Sequence, residues 1–386
     1  MKQGWVDKKL IDIADVSTGK YDANHSDQKG KYRFYTCAYN YGMCNTNRFS
    51  GESLILPGNG VNVGEVFYYD GEFDAYQRTY VINKIKIFPK YLHYHMLLFW
   101  KELGTKLQYG SATNFIKIGN FQNYDISYPP LPEQQRIVAI LDEAFAAIAK
   151  AKANAEQNLK NTKELFESYL QGVFETKGEG WEEKSLGEIA TFRNGMNFTK
   201  SSKGEKINIV GVKDFQNSFW VPFETLETVT LDDKLNDIDL LNEGDILAVR
   251  SNGNPQLIGR TLLASEVVGK VSHSGFTIRI RLNTKNIDPI YLCNFLKIAK
   301  TRKILVDGGN GVGIKSLNQG SLAALLIPIH SIKQQQAIVQ KIDALSTETK
   351  KLEAIYQQKL NDLEELKKSV LQKAFAGELK EKLVTV

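Results

Sequence analysis

The chain has 386 residues, of which 42% are hydrophobic and 24% charged, with a net charge of +5 and a pI near 8.7. That length exceeds one ordinary core and suits two domains, and the composition excludes both a disordered chain and a fibrous repeat. The basicity falls short of the pI above about 9 that announces a nucleic-acid binder from composition alone, so any basic surface must be made by folding.

Residues 1–132 form a first globular unit in which β-patterned pieces at 53–56, 65–69 and 79–82 alternate with Gly/Asn-rich turns, and an apolar helix is expected after Pro89. Residues 133–177 read as one long amphipathic helix. Ile137, Leu141, Ala144, Ile148, Ala151, Ala155, Leu159, Thr162, Phe166, Leu170 and Phe174 are spaced three or four apart, Pro132 is placed before the start, and Gly178 and Gly180 lie beyond the end. Residues 178–331 form a second unit, with strands at 245–250 and 277–282 and a helix after Pro289. Residues 332–386 hold a second long helix and a tail. Pro328 precedes this helix, and Ile338, Ile342, Leu345, Thr349, Leu352, Tyr356, Leu360, Leu363, Lys367, Leu371 and Phe375 repeat the spacing. Such spacing sustained over about six heptads is a coiled-coil seam, and the two steps of four from Ala151 to Leu159 are a stutter in it.

The second half repeats the first. Trp5, Leu10, Ile13, Ala14 and Gly19 recur at one constant offset as Trp181, Leu186, Ile189, Ala190 and Gly195. Asn59-Gly60 recurs as Asn252-Gly253, and Tyr80-Val81-Ile82 as Phe276-Thr277-Ile278, at larger offsets. From Gln135 and Ile137, matching Gln336 and Ile338, the offset stays constant to Phe174 and Phe375. A tandem duplication is the economical reading, with a globular segment that tolerates insertion and a helical one that does not. A helix of about 43 residues is ~65 Å long, beyond what one such unit can cover, so the two helices are expected to pair with each other. The first leaves unit one and ends at unit two, and the second starts at unit two. The expected fold is therefore α+β, with two similar domains at opposite ends of an antiparallel coiled coil and pseudo-twofold symmetry.

No apolar run reaches the ~20 residues of a membrane span. The opening MKQGWVDKKL lacks the apolar core of an export signal, and Cys37, Cys44 and Cys293 are expected as free thiols, so a cytoplasmic protein with no membrane contact is expected. No Cys/His group has zinc-site spacing. The loop Gly58-Asn59-Gly60-Val61-Asn62-Val63-Gly64 lacks the dinucleotide spacing, and the sequence has neither a GxxxxGK[ST] phosphate loop nor the Asn-Pro-Pro-aromatic string of amino-methyltransferases. No catalytic set, metal or cofactor is expected in the chain itself.

Polar and aromatic residues collect in the insertion-tolerant loops. In the first copy they are Tyr32, Arg33, Asn59, Asn62, Tyr76, Gln77, Arg78, Asn114 and Lys117, with Tyr35 and Tyr39 close by in sequence. In the second they are Arg193, Asn194, Lys200, Lys203, Arg250, Asn252, Gln256, His273, Ser274 and Lys315. Arg, Asn, Gln and Lys read base edges in a major groove, and Tyr or Ser can hold phosphates. Any one of them also fits an ordinary solvated loop.

The strings LPEQQRIVAILDEAF from Leu131, KELFESYLQGVF from Lys163, SLGEIATFRNG from Ser185, RSNGNPQLIGR from Arg250 and KKSVLQKAFAGEL from Lys367 resemble the DNA-specificity subunit of type I restriction-modification systems. The resemblance spans nearly the whole chain in the order target-recognition domain, helix, target-recognition domain, helix. It departs at Lys333-Gln334-Gln335-Gln336, where the family has an acidic residue before Gln-Gln. The resemblance implies a non-catalytic subunit whose two domains each read one half of a split site in double-stranded DNA. It implies two methyltransferase subunits that use S-adenosylmethionine on adenine N6, two restriction subunits that use ATP and Mg, and helices that set the half-site spacing and dock the methyltransferase subunits. DNA rises ~3.4 Å per base pair, so a spacer of this length separates the readers by one to two turns. A coiled-coil scaffold with protein- or glycan-binding ends would share the helices but not salt-sensitive DNA binding. A self-sufficient nuclease or methyltransferase would show activity as the purified chain.

Overall fold

The computed structural model describes residues 4–106, 114–175, 180–199, 201–216, 218–232, 234–307 and 316–379. The chain divides into two compact units, Met1–Gln157 with Gln357–Val386, and the contiguous Asn158–Tyr356. Each long helix thus contributes one half to each unit, where the sequence-based division keeps the helices whole as segments of their own.

Both units are built on one plan. In the first, a four-stranded antiparallel sheet has the order Asp15–Thr18, Thr79–Asn83, Ser53–Pro57, Phe67–Tyr69. A three-stranded sheet follows as Gly42–Cys44, Tyr32–Tyr35, Phe73–Ala75, its last pairing parallel, and Val6–Lys9 pairs with Asp125–Tyr128 in a ribbon. The second unit repeats this with Ala190–Asn194, Thr277–Leu282, Ile246–Val249 and Thr261–Leu263, then Glu227–Thr230, Lys206–Val210 and Val271–His273, and a ribbon of Glu182–Ser185 with Leu326–Ile329.

The central strands Ser53–Pro57 and Ile246–Val249 are buried at every position, because both of their faces are covered. Side chains alternate across a strand. Leu54 and Leu56 accordingly enter the main core beside Tyr91, Leu92 and Met96 of helix Pro89–Lys106, while Ile55 enters a smaller core with Tyr35 and Phe73. In the second unit Ile246 and Ala248 face Tyr291, Leu292 and Leu296 of helix Pro289–Lys297, and Leu247 and Val249 face Val210 and Phe215.

The backbone bonds correct the alignment of the two copies. Gly19 N–H donates to the Thr79 carbonyl and Gly195 N–H to that of Thr277, while Gly58 N–H donates to the Arg78 carbonyl and Arg250 N–H to that of Phe276. Thr79 therefore matches Thr277 and Arg78 matches Phe276, in place of the expected match of Tyr80 with Phe276. Gly58 matches Arg250, so Asn59-Gly60 matches Ser251-Asn252. A shift of two residues along a strand leaves every side chain on its own face, which is why the hydrophobic pattern did not reveal the first slip.

The long helices are Leu131–Glu175 and Ile332–Ala376, each of 45 residues. Pro132 lies inside the first turn, where an N–H has no intrahelical acceptor, and Pro328 lies in a strand. In the first unit Ile137, Val138 and Leu141 share a core with Val370, Leu371, Ala374 and Phe375. Lys367 Nζ sits 5.2 Å from the Phe145 ring, and Lys152 pairs with Glu364 at 2.6 Å. Partners descend along the second helix as the first ascends, so the helices run antiparallel there. In the second unit Leu170 and Phe174 share a core with Val339 and Ile342.

Leu352 departs from the expected seam. It is 43% exposed, and Glu353 is the half-buried position, so two steps of four fall at 345–349–353. Gly377 ends the second helix at φ +75°, with Glu378 N–H on the Lys373 carbonyl, the six-to-one bond of a glycine C-terminal cap. Cys37, Cys44 and Cys293 are free thiols, Cys37 half-buried and the other two buried. Among the described residues no helix is long and apolar enough to cross a membrane.

Candidate nucleic-acid interface

Each repeat fastens its domain to its helix start through one buried glutamine. Gln134, 3% exposed, donates to the Pro129 carbonyl at 2.7 Å and accepts from Phe88 N–H at 2.9 Å. Gln335, fully buried, donates to the His330 carbonyl at 2.7 Å and the Asn286 carbonyl at 2.9 Å and accepts from Asp288 N–H at 2.9 Å. The Tyr91 and Tyr291 hydroxyls donate to the carbonyls of Ser127 and Pro328, clamping the same junctions, and burial raises both phenols well above their ordinary range. The residue before each glutamine differs between the repeats. Glu133 pairs with Arg136 at 2.7 Å, whereas Gln334 accepts from the Ser331 hydroxyl at 2.8 Å.

A tight turn links the three-stranded sheet to the four-stranded sheet in each unit. In the first it is Tyr76-Gln77-Arg78, closed by Thr79 N–H on the Tyr76 carbonyl at 2.8 Å. In the second it is Ser274-Gly275-Phe276, closed by Thr277 N–H on the Ser274 carbonyl at 2.8 Å. Gly19 and Gly195 lie against these turns. A Cβ there would come within 1.7 Å of the Ala75 carbonyl oxygen and 2.2 Å of the His273 carbonyl oxygen, so only glycine fits. A neighbouring loop starts beside each turn, through Gly58 on the Arg78 carbonyl at 2.9 Å and Arg250 on the Phe276 carbonyl at 2.8 Å. A third segment joins at Ile116 N–H on the Gly58 carbonyl and Leu317 N–H on the Arg250 carbonyl. Turn, loop and third segment together form a tip.

The first tip gathers Asn59, Arg78 and Asn114, with Gln77 exposed but held on Asp22 at 2.5 Å and Tyr76 half-buried. Asn62 donates inward to the Cys37 carbonyl at 2.8 Å, and Lys117 lies just before the helix Ile118–Gln122 with its ammonium near the Phe115 ring. Tyr32 and Arg33 stand on the three-stranded sheet, where the Arg33 guanidinium is stacked 4.2 Å from the rings of both Tyr41 and Tyr69 and bonded to the Tyr35 hydroxyl.

The second tip gathers Arg250, Asn252 and Ser274, and beside it a groove of about 520 Å³ is lined by Ser251, Asn252, Ser274 and Phe276 together with the Lys213–Glu227 pair. Asn252 accepts from Asn254 N–H at 2.8 Å, Gln256 is exposed, and Lys203 is exposed. Ser274 is only 3% exposed. His273 is inside the fold at 1% exposed, 2.9 Å from the Thr277 hydroxyl, and burial together with the charge of Arg279 pushes its pKa down to about 3. It is therefore a core residue and not a surface reader. Arg193 is bound to Asp239. Burial opposes ionisation of that carboxyl, but Arg193 and Asn236 outweigh it and hold its pKa below the usual value. Asn194 accepts from Gln319 at 3.2 Å. Lys200 and Lys315 lie outside the described residues.

The arginines sort into two classes. Arg136, Arg193 and Arg281 hold carboxylates, Arg48, Arg260, Arg279 and Arg302 hold backbone carbonyls, and Arg33 is stacked on tyrosines. Only Arg78 and Arg250 have no side-chain partner among the described residues. Sequence reasoning missed the anchoring role of Gln134 and Gln335 and the exposed Phe276, although the repeat placed all three in matched segments.

The family model described as the type I restriction modification DNA specificity domain matches residues 2–160 and again 178–365, one match to each repeat. The chain is 25% identical to the type I restriction enzyme EcoDI specificity subunit of Escherichia coli over 97% of this chain and 88% of that one. It is 27% identical to the StySPI specificity subunit of Salmonella potsdam over 76% and 66%. Its fold is similar to a chain from a type I restriction-modification system solved for its complex assembly and conformational transition, with a TM-score of 0.78, 17% identity and coverage of 98% and 99%. It is also similar to the HsdS subunit of Thermoanaerobacter tengcongensis, with a TM-score of 0.56, 17% identity and coverage of 98% of both chains. With both repeats matched and the same three-sheet plan built twice, the chain belongs to the family of DNA specificity subunits of type I restriction-modification systems.

Proposed function

We propose that this chain reads DNA for a type I restriction-modification complex, each repeat recognising one half of an asymmetric, two-part site. The observation that carries the reading is the duplicated tip, in which a hydrogen-bonded turn and its neighbouring loop present, in each repeat, one arginine without a side-chain partner among the described residues, amid otherwise different side chains. Two readers of one architecture and unlike surface chemistry suit two half-sites of unlike sequence. The long helices act as the spacer between the half-sites and as the docking surface for two methyltransferase subunits, and two restriction subunits complete the complex. S-adenosylmethionine, ATP and Mg are used by those partners, on adenine N6 and in translocation and cleavage, and the complex works in the cytoplasm. Phosphate contacts by lysines would make binding fall steeply with salt, and a net charge of only +5 suits weak binding by the isolated chain.

The test is a map of methylated adenines in a methylation-free host that expresses the partner methyltransferase subunit with and without this chain. A bipartite asymmetric motif that depends on the chain is the expected outcome. No new methylation despite an assembled complex would favour a scaffold.

A further inference from the structure

We infer that Arg78 and Arg250 each read a guanine through the major groove, one in each half-site, from opposite sides of an equivalent backbone hydrogen bond. The inference rests on the reading proposed above. In the first tip Gly58 N–H donates to the carbonyl of Arg78, and in the second Arg250 N–H donates to the carbonyl of Phe276. The arginine thus sits on the turn in one repeat and on the neighbouring loop in the other.

Space explains the exchange in the first unit. A Cβ at Gly58 would lie 2.2 Å from the Arg78 carbonyl oxygen and 2.9 Å from the Tyr80 ring, so in that tip the position equivalent to Arg250 cannot carry a side chain. In the second unit the turn position is taken by Phe276, which is 61% exposed. Arg78 is exposed and Arg250 partly exposed, and each is anchored by its main chain at the end of an inner strand of the four-stranded sheet.

A guanidinium with no partner among the described residues keeps its donors for a ligand, and its planar fork fits the O6 and N7 acceptors of guanine. A phosphate needs no such fork and can be held by any of the many lysines or by backbone N–H groups. Because one arginine stems from the turn and the other from the neighbouring loop, the guanine takes a different position in the two half-sites.

The adenine map is repeated with the full complex carrying Arg78→Gln or Arg250→Gln. The wild-type motif is expected to hold a G·C pair in each half-site. Arg78→Gln should relax one such pair in one half-site, Arg250→Gln one in the other, with discrimination falling roughly 10- to 100-fold and the gap unchanged. A half-site without a G·C pair overturns the inference, as does a variant that slows methylation at every site while relaxing no base. Where a variant abolishes methylation, binding by the purified complexes is measured on duplexes with 7-deazaguanine at the motif guanines. Loss of N7 should weaken the wild-type complex about tenfold and leave the variant unaffected, and equal weakening of both overturns the inference. A wild-type complex that yields no motif at all strikes the function proposed above instead.

Discussion

Gln134 and Gln335 show how one side chain can fix a domain to a helix. Each is buried and satisfies a backbone N–H and at least one carbonyl that would otherwise be orphaned. Gln134→Leu keeps the volume but strands those partners, and a loss of about 2–3 kcal/mol is expected in denaturant unfolding of the first unit. The sequence repeat drew attention to Gln135 and Gln336, one residue along. Adjacent residues at a helix start point about 100° apart, and nothing in the string Gln-Gln tells which of them faces inward. His273 gives a second residue-scale test. Its folded pKa of about 3 lies below the ordinary value near 6.5, so between these the unfolded chain binds a proton that the folded chain does not. Stability contributed by the neutral ring is present above pH 6.5 and lost as pH falls towards 3. The melting temperature is expected to drop from pH 7 to pH 5, and His273→Asn should make that slope shallower by on the order of 1 kcal/mol per pH unit.

At the scale of elements, the long helices were legible because three-four spacing is a direct image of one buried face, and their antiparallel sense within the first unit follows from pairs such as Lys152 with Glu364. That exposed pair adds well under 1 kcal/mol, so the shared apolar core holds the helices. The seam near Leu352 was not legible, since Leu352 and Glu353 are adjacent candidates for it and the glutamate, whose aliphatic stem tolerates partial burial, holds the half-buried position. Strand register was legible only to within two residues, for the reason of facing given above. Inserting or deleting four residues in both helices changes their length by ~6 Å, close to two base-pair rises. The expected result in the adenine map is a changed gap with both half-site sequences intact. Altered half-sites with a constant gap would refute the ruler role.

At the scale of the whole molecule, the tandem repeat was the most legible feature, because duplication preserves spacing even where side chains diverge. The tips were the least legible, because their geometry depends on hydrogen bonds between segments far apart in the chain, such as Gly58 with Arg78 and Arg250 with Phe276. Since the segments before Gln157 and after Gln357 belong to one unit, a circular permutant joining Val386 to Met1 and opened near Gly178 is expected to fold and to direct the same methylation motif. A permutant that fails to fold would contradict the helix pairing. That same composition has a consequence for biosynthesis. The first unit opens with residues made before the second unit, yet its core is closed by Val370, Leu371, Ala374, Phe375 and Leu379, which are made after it. The second unit is contiguous and lacks nothing once residue 356 has emerged. A growing chain can therefore finish its second domain before its first, and a ribosome that stops short of the final helical turns releases a protein with one completed reader and one left open.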